Sequence, residues 1–188
     1  DLAVTVSRPA VDAERIDLHN RYVVERHEHT PLDAASYRQF FLDTPVPTLE
    51  IAYRLDGRLV ALALLDELGP VHSAVYTFYD PALPKRSLGT FSILWEIGNA
   101  LGSGATWLHL GFHVAGAKTM AYKSNFRPCE TGAKIFCRLH NTSSGNTRLR
   151  TRVRYRKACG QKSFHYSKTT TIPAMCVRCA CGSRSISK

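Results

Sequence analysis

A chain of 188 residues, 44% of them hydrophobic, is long enough for one domain with a buried core plus an appendage. No apolar run approaches the roughly 18 residues that cross a bilayer. Lys and Arg number 25 against 15 Asp and Glu, a formal charge of +10, but the distribution is lopsided. Residues 1–96 hold 9 basic and 14 acidic side chains, whereas residues 97–188 hold 16 basic ones and a single acid, Glu130. A half so basic suits a polyanion such as nucleic acid. Residues 129–188 contain no Asp or Trp, all six cysteines and 14 Ser or Thr, with nine Leu, Ile, Val or Phe. That composition falls below what a packed core needs. It divides the chain into a folded part, 1–128, and a basic tail, 129–188, expected to be disordered or foreign. The opening Asp1-Leu2-Ala3-Val4 is no secretion leader, and a cytoplasmic location is the expectation.

In chain order, Val11, Leu18 and Tyr22 on one face predict a helix over Val11–Arg26. Thr30-Pro31-Leu32-Asp33 reads as a helix start, with Thr30 as cap and Pro31 at the first position. Tyr37, Phe40 and Phe41 follow at helical spacing until Pro45 and Pro47 stop the helix. Two helices are thus expected before the first strand. Leu49, Ile51 and Tyr53 alternate with polar positions ahead of Asp56-Gly57, a strong hairpin signal. The return strand, Leu59–Leu65, is apolar at every position and so should be covered on both faces. Leu68-Gly69-Pro70 turns the chain into a third strand, Val71–Tyr79, completing an antiparallel meander.

The period then changes. Ser87 caps a predicted helix in which Leu88, Phe91 and Trp95 share a face, ended by Gly102-Ser103-Gly104. Thr106–Phe112 reads as a strand and Gly116–Asn125 as a further helix. The strand–helix–strand crossover implies a parallel neighbour on the meander. The fold expected is therefore α/β (α+β), a mixed sheet covered by helices in the order of an acetyltransferase-like N-acyltransferase.

Several segments are candidates for chemistry. In Lys85-Arg86-Ser87-Leu88-Gly89-Thr90, two cations, a hydroxyl and a glycine stand at a helix N-terminus, a setting that suits a phosphate; an ordinary helix start is the alternative. His109 and His113, two apart on a strand, suit a metal or a proton shuttle but lack a third ligand nearby. In the tail, Arg148, Arg150, Arg152, Arg154 and Arg156 alternate with other residues. As a strand they would share one face fit for an RNA backbone; otherwise the segment is a disordered basic stretch. Cys159, Cys176, Cys179 and Cys181 are weak candidates for zinc, because only one Cys-x-x-Cys occurs, and no metal is expected.

The runs Val75-Tyr76-Thr77-Phe78-Tyr79-Asp80-Pro81 and Ser87-Leu88-Gly89-Thr90-Phe91-Ser92-Ile93-Leu94-Trp95 are joined further on by Leu108-His109-Leu110-Gly111-Phe112. With Met120-Ala121-Tyr122-Lys123 and Phe126-Arg127-Pro128, they resemble the C-terminal domain of aminoacyl-tRNA–protein transferases. The likeness is nearest to the bacterial aspartate/glutamate leucyltransferases, relatives of the arginyltransferases. It implies an acetyltransferase-like domain that takes aminoacyl-tRNA as co-substrate, with no other cofactor. The expected reaction moves leucine or arginine onto the α-amine of proteins beginning with Asp or Glu, marking them for N-degron proteolysis in the cytoplasm. The expected catalytic residues are Tyr76, Asp80 and Tyr122, with Tyr79 beside them, as relays for the amine proton. Arg86, Ser87, Gly89, Lys118, Lys123 and Arg127 are expected to bind tRNA or the acidic substrate. The chain departs from the family pattern at Phe112-His113, Gly116-Ala117 and Thr119, and the family's Cys-containing N-terminal domain would precede residue 1. A coenzyme A-dependent N-acyltransferase and a non-catalytic RNA-binding remnant stay open as alternatives.

Overall fold

The computed structural model describes residues 1–27, 30–112, 117, 120–131, 134–138, 150–157 and 160–167. Seven strands make one mixed sheet in the order β1-β2-β3-β4-β5-β8-β7. Four of them, β1 (Leu2–Ser7), β2 (Thr48–Leu55), β3 (Arg58–Leu68) and β4 (Val71–Tyr79), run antiparallel as neighbours. The expected hairpin turn is present: Asp56 and Gly57 both take positive φ, 50° and 82°, the pair of angles that a two-residue turn matched to strand twist requires. The fourth strand matches its predicted limits, and the expected crossover brings β5 (Trp107–Phe112) parallel to β4.

Two expectations need correcting. A strand, not a helix, comes first, because Leu2, Val4 and Val6 alternate and pair with β2. Helix α2 (Ala34–Phe41) begins later than Thr30, since Asp33 is its cap and accepts a 2.7 Å bond from the Ser36 amide. Helix α1 (Ala13–His27) follows the predicted span closely, with Asp12 accepting from the Arg15 amide.

Helices α1 and α2 cover one face of the sheet. Leu18, Tyr37 and Phe41 pack there on Ala52, Leu59, Leu62, Leu64 and Phe78. Helix α3 (Leu88–Ser103) covers the other, setting Ile93, Leu94, Trp95, Ile97 and Leu101 against Ile51, Tyr53, Val60, Ala61, Ala63 and Leu65. Strand β3 thus sends alternate side chains into two cores, which explains its unbroken apolar run. Each fully buried residue of this size contributes roughly 2–3 kcal/mol.

Past residue 128, β7 (Cys129–Thr131) and β8 (Lys134–Arg138) extend the sheet beyond β5. A second sheet, in the order β10-β9-β6, joins β6 (Phe126–Arg127), β9 (Arg150–Lys157) and β10 (Gly160–Ser167). In β9, Arg150, Arg152, Arg154 and Arg156 fall at alternate positions of an extended strand. Arg148 lies outside the described residues. Where a helix was expected over 116–125, the described part is a 3-10 turn over Ala121–Asn125. No helix among the described residues is long and apolar enough to cross a membrane.

Candidate active site

Strands β4 and β5 pair over three positions, Val71–Ser73 with Trp107–His109, and no further. A register shift at Leu64/Leu65 kinks β4 just beyond that point. Among the described residues the upper half of β4 therefore has no strand partner on the β5 side, and Tyr22 of α1 meets Tyr79 there.

Four tyrosines gather around this opening. Tyr22, near the end of α1, meets Tyr79 ring to ring at 5.0 Å. Burial raises the Tyr22 phenol, and the phenols of Tyr79, Tyr76 and Tyr122 raise it further. Tyr76 is half-buried among His19, Phe40, Phe41 and Phe78, with burial pushing its phenol up. Tyr122, in the 3-10 turn, is raised by burial, by Glu96 and by Tyr79. Tyr22, Tyr76 and Tyr122 are thus neutral phenols near pH 7, able to donate a hydrogen bond or pass a proton.

Asp80, at the end of β4, is fully buried and ringed by donors. Arg58 Nη1 lies 2.7 Å from one of its oxygens and Arg21 Nη1 3.0 Å from the other, which also accepts the Ala82 amide at 3.0 Å. Its place is that of an anchor tying α1, β3 and the end of β4 together. Asp80, Arg21 and Asn20 also line an open depression of ≈ 470 Å³ on the outer side of α1.

The start of α3 supports β4 from the other face. Gly89 lies so near Tyr79 that a Cβ there would come within 3.2 Å of the ring, so the glycine allows the first turn to seat against it. Ser87 occupies the N-cap position as expected, but with φ +52° and no side-chain capping bond, a departure from the capping role predicted for its hydroxyl. The opening amides of α3 thus lack the side-chain cap that such positions usually have, which favours an anionic ligand. Arg86 pairs with Asp1 at 2.8 Å. Lys123 donates to the Phe112 carbonyl at 2.9 Å, and burial lowers its pKa. Arg127 is exposed on β6, opposite Arg154 of β9. Lys118, His113, Cys159, Cys176, Cys179 and Cys181 lie outside the described residues. Among the described residues no three His, Cys, Asp or Glu are grouped to hold a metal.

The sequence reading passed over Tyr22, Arg26, Ser92 and Glu96. Ser92 and Glu96 are completely buried on one stripe of α3 and form a chain in which Tyr53 Oη donates to Ser92 Oγ (3.1 Å) and Ser92 to Glu96 Oε1 (2.9 Å). Glu96 Oε2 is buried without a hydrogen-bond partner among the described residues, and burial pushes the carboxyl up to about 8. The available signal was a pair of polar residues four apart in an otherwise apolar helix. For Tyr22 and Arg26 it was the same spacing at the end of α1, one face carrying both.

Solved acetyltransferases share this arrangement of strands and helices as a fold. The GNAT family acetyltransferase from Brucella melitensis, solved with acetyl-CoA, superposes with a TM-score of 0.53 at 12% identity, over 84% of this chain and 97% of that one. An acetyltransferase from Bacillus subtilis, solved with CoA, gives 0.50 at 12% identity over 74% and 100%. The fold is that of the GNAT acetyltransferases.

Within that fold the sequence is more particular. Residues 14–132 match the family described as Arginine-tRNA-protein transferase, C terminus, and the chain belongs to it. The protein named aspartate/glutamate leucyltransferase in Pseudomonas fluorescens strain SBW25 is 44% identical over 133 residues, 69% of this chain and 57% of that protein. Its namesake in Pseudomonas putida strain W619 is 43% identical over the same shares. The chain thus spans little more than half the length of the curated relatives it matches.

Proposed function

We propose that this chain is the acyl-transfer domain of an aminoacyl-tRNA–protein transferase. It moves leucine, or arginine, from aminoacyl-tRNA to the α-amine of proteins beginning with Asp or Glu, in the cytoplasm, as a mark for N-degron proteolysis. What carries the reading is the family match over residues 14–132, which takes in all four tyrosines of the opening and goes with 44% identity to a relative named aspartate/glutamate leucyltransferase.

The chemistry suits such a site. The α-amine of a protein has a pKa of about 7.7–8.0, so an appreciable fraction is neutral near pH 7. Its nitrogen attacks the ester carbonyl of the aminoacyl group, forming the amide bond. The bond from that carbonyl to the ribose oxygen breaks, and the proton lost by the amine ends on the ribose oxygen. The ester is already activated, so the protein's task is to align the reactants, steady the oxyanion and carry one proton. Tyr76 and Tyr122 are our candidates for the last two roles, as neutral phenols on the two sides of the opening. Asp80 we assign to holding the end of β4 in place, because both its oxygens are already engaged. The opening amides of α3, with Ser87, Gly89 and Arg86, would receive a phosphate of the tRNA 3′ end, and Lys118, Lys123 and Arg127 its neighbours.

The test is transfer of labelled leucine from charged tRNA to a peptide beginning with Asp, beside one beginning with Ala and beside acetyl-CoA as donor. Transfer to the Asp peptide alone is the expected result. Acetylation from acetyl-CoA instead would favour a coenzyme A-dependent acyltransferase, and RNA binding without transfer a non-catalytic remnant. Tyr76→Phe and Tyr122→Phe should each slow transfer by about 100-fold or more if the phenols carry the proton.

A further inference from the structure

Resting on that reading, we infer that Arg26 is the residue that recognises the acceptor's N-terminal carboxylate side chain.

Arg26 sits one turn after Tyr22 on α1, with its guanidinium 5.8 Å from the centre of the Tyr79 ring. Its charge also acts on the Tyr22 phenol, drawing that pKa down against the effect of burial. The cation therefore stands beside two of the four tyrosines that frame the opening between β4 and β5. A guanidinium held over an aromatic face is oriented by it while its N–H edge stays available, the arrangement that binds a carboxylate through two parallel hydrogen bonds.

The neighbouring cations are otherwise engaged. Arg21 and Arg58 are held by the buried Asp80, Arg86 pairs with Asp1, and Lys123 donates to the Phe112 carbonyl. Arg26 has no carboxylate partner among the described residues. Of the acids around the opening, Asp80 faces two guanidinium groups and burial favours the neutral form of Glu96, while Glu25, next to Arg26 on α1, is exposed to solvent. An incoming carboxylate would meet a guanidinium that no carboxylate holds among the described residues.

Reach supports the same placement. In an N-terminal Asp or Glu, the carboxylate lies within roughly 5 Å of its own α-nitrogen. A group that reads the side chain while the amine attacks must therefore border the reaction site itself. Arg26, over the Tyr79 ring and acting on Tyr22, borders the tyrosine-lined opening where such a group is needed. Of Lys123 and Arg127, expected from sequence to meet the acidic side chain or tRNA phosphates, the first donates to the Phe112 carbonyl and the second lies in β6 opposite β9.

The experiment measures binding of C-terminally labelled peptides beginning with Asp or Asn to the full chain and to Arg26→Gln and Arg26→Lys. The native chain should prefer Asp, and Arg26→Gln should lose about 10- to 100-fold of Asp affinity with little change for Asn. Arg26→Lys should recover part of the preference, and uncharged tRNA should bind all three proteins alike. An unchanged Asp-over-Asn preference in Arg26→Gln would overturn the assignment while leaving the proposed reaction standing. A native chain with no such preference would instead remove the acidic-acceptor reading itself. Equal losses for Asp and Asn, with a lowered melting temperature that Lys restores, would show a purely structural role and also overturn it.

Discussion

The two faces of the sheet each bury a carboxylate, and they do it in opposite ways. On the α1 side, Glu50 is 1% exposed and lies in the grip of Arg15, whose Nε is 3.0 Å from both of its oxygens, with the Ala10 amide adding a third donor. On the α3 side, Glu96 is 0% exposed and among the described residues has the Ser92 hydroxyl and no cation. The first acid is gripped by a guanidinium buried with it; the second is pushed toward its neutral form by burial, which outweighs the Ser92 hydrogen bond that favours its charge. Two equally buried carboxylates thus have quite different partners. What matters is which helix lies over the carboxylate.

The sharpest way to break this contrast is Arg15→Ala. It leaves Glu50 buried without its cation and should cost about 3 kcal/mol, read as a drop in the denaturant midpoint. By comparison Arg58→Ala should cost about 1 kcal/mol or less, because Arg58 is 55% exposed and Arg21 continues to hold Asp80. A loss as large as that of Arg15→Ala would mean that the Asp80 cluster depends on both arginines at once.

Glu96→Gln tests the other face through pH. The folded carboxyl titrates near 8, above its ordinary 4.5, so between those values the unfolded chain has released a proton that the folded chain retains. Folding stability then falls as pH rises, by up to about 1.4 kcal/mol per pH unit from this group. Below pH 4.5 the effect vanishes. Glu96→Gln should flatten the slope between pH 5 and 8 and leave the protein relatively more stable at pH 8. An unchanged slope would mean that Glu96 ionises freely in the fold.

Much of the fold could be read in the sequence because its signals are local. Asp56-Gly57 is a turn wherever it occurs between alternating strands, and Gly104, at φ +83°, ends α3 where the glycines predicted a stop. Strand β1 was equally visible in the alternation of Leu2, Val4 and Val6, but so short an edge strand earns its identity only by pairing with β2. The start of α2 was ambiguous because Thr30 and Asp33 are both good caps, and the Ser36 amide decided between them. The candidate site was harder to read. Tyr76 and Tyr79 were singled out from their motif, yet Tyr22 reaches them from a helix more than fifty residues earlier, through an opening that exists because β4 and β5 stop pairing. No spacing in the sequence encodes such a meeting. Glu96 has the same difficulty: a polar residue in a helix reads as a solvent face until the sheet is seen to cover it.

Gly111 closes β5 with φ +81°, and a Cβ built there would stand 3.3 Å from the Lys123 amine. Gly57 and Gly69 share the positive φ but open onto empty space, so an Asn can take their place at modest strain. At position 111 a new side chain meets two obstacles at once, the backbone angle and the lysine that latches onto the neighbouring carbonyl. In genetic terms, two glycines of this sheet are replaceable punctuation, while the third is a site at which almost any missense change would be felt one turn away, beside Tyr122.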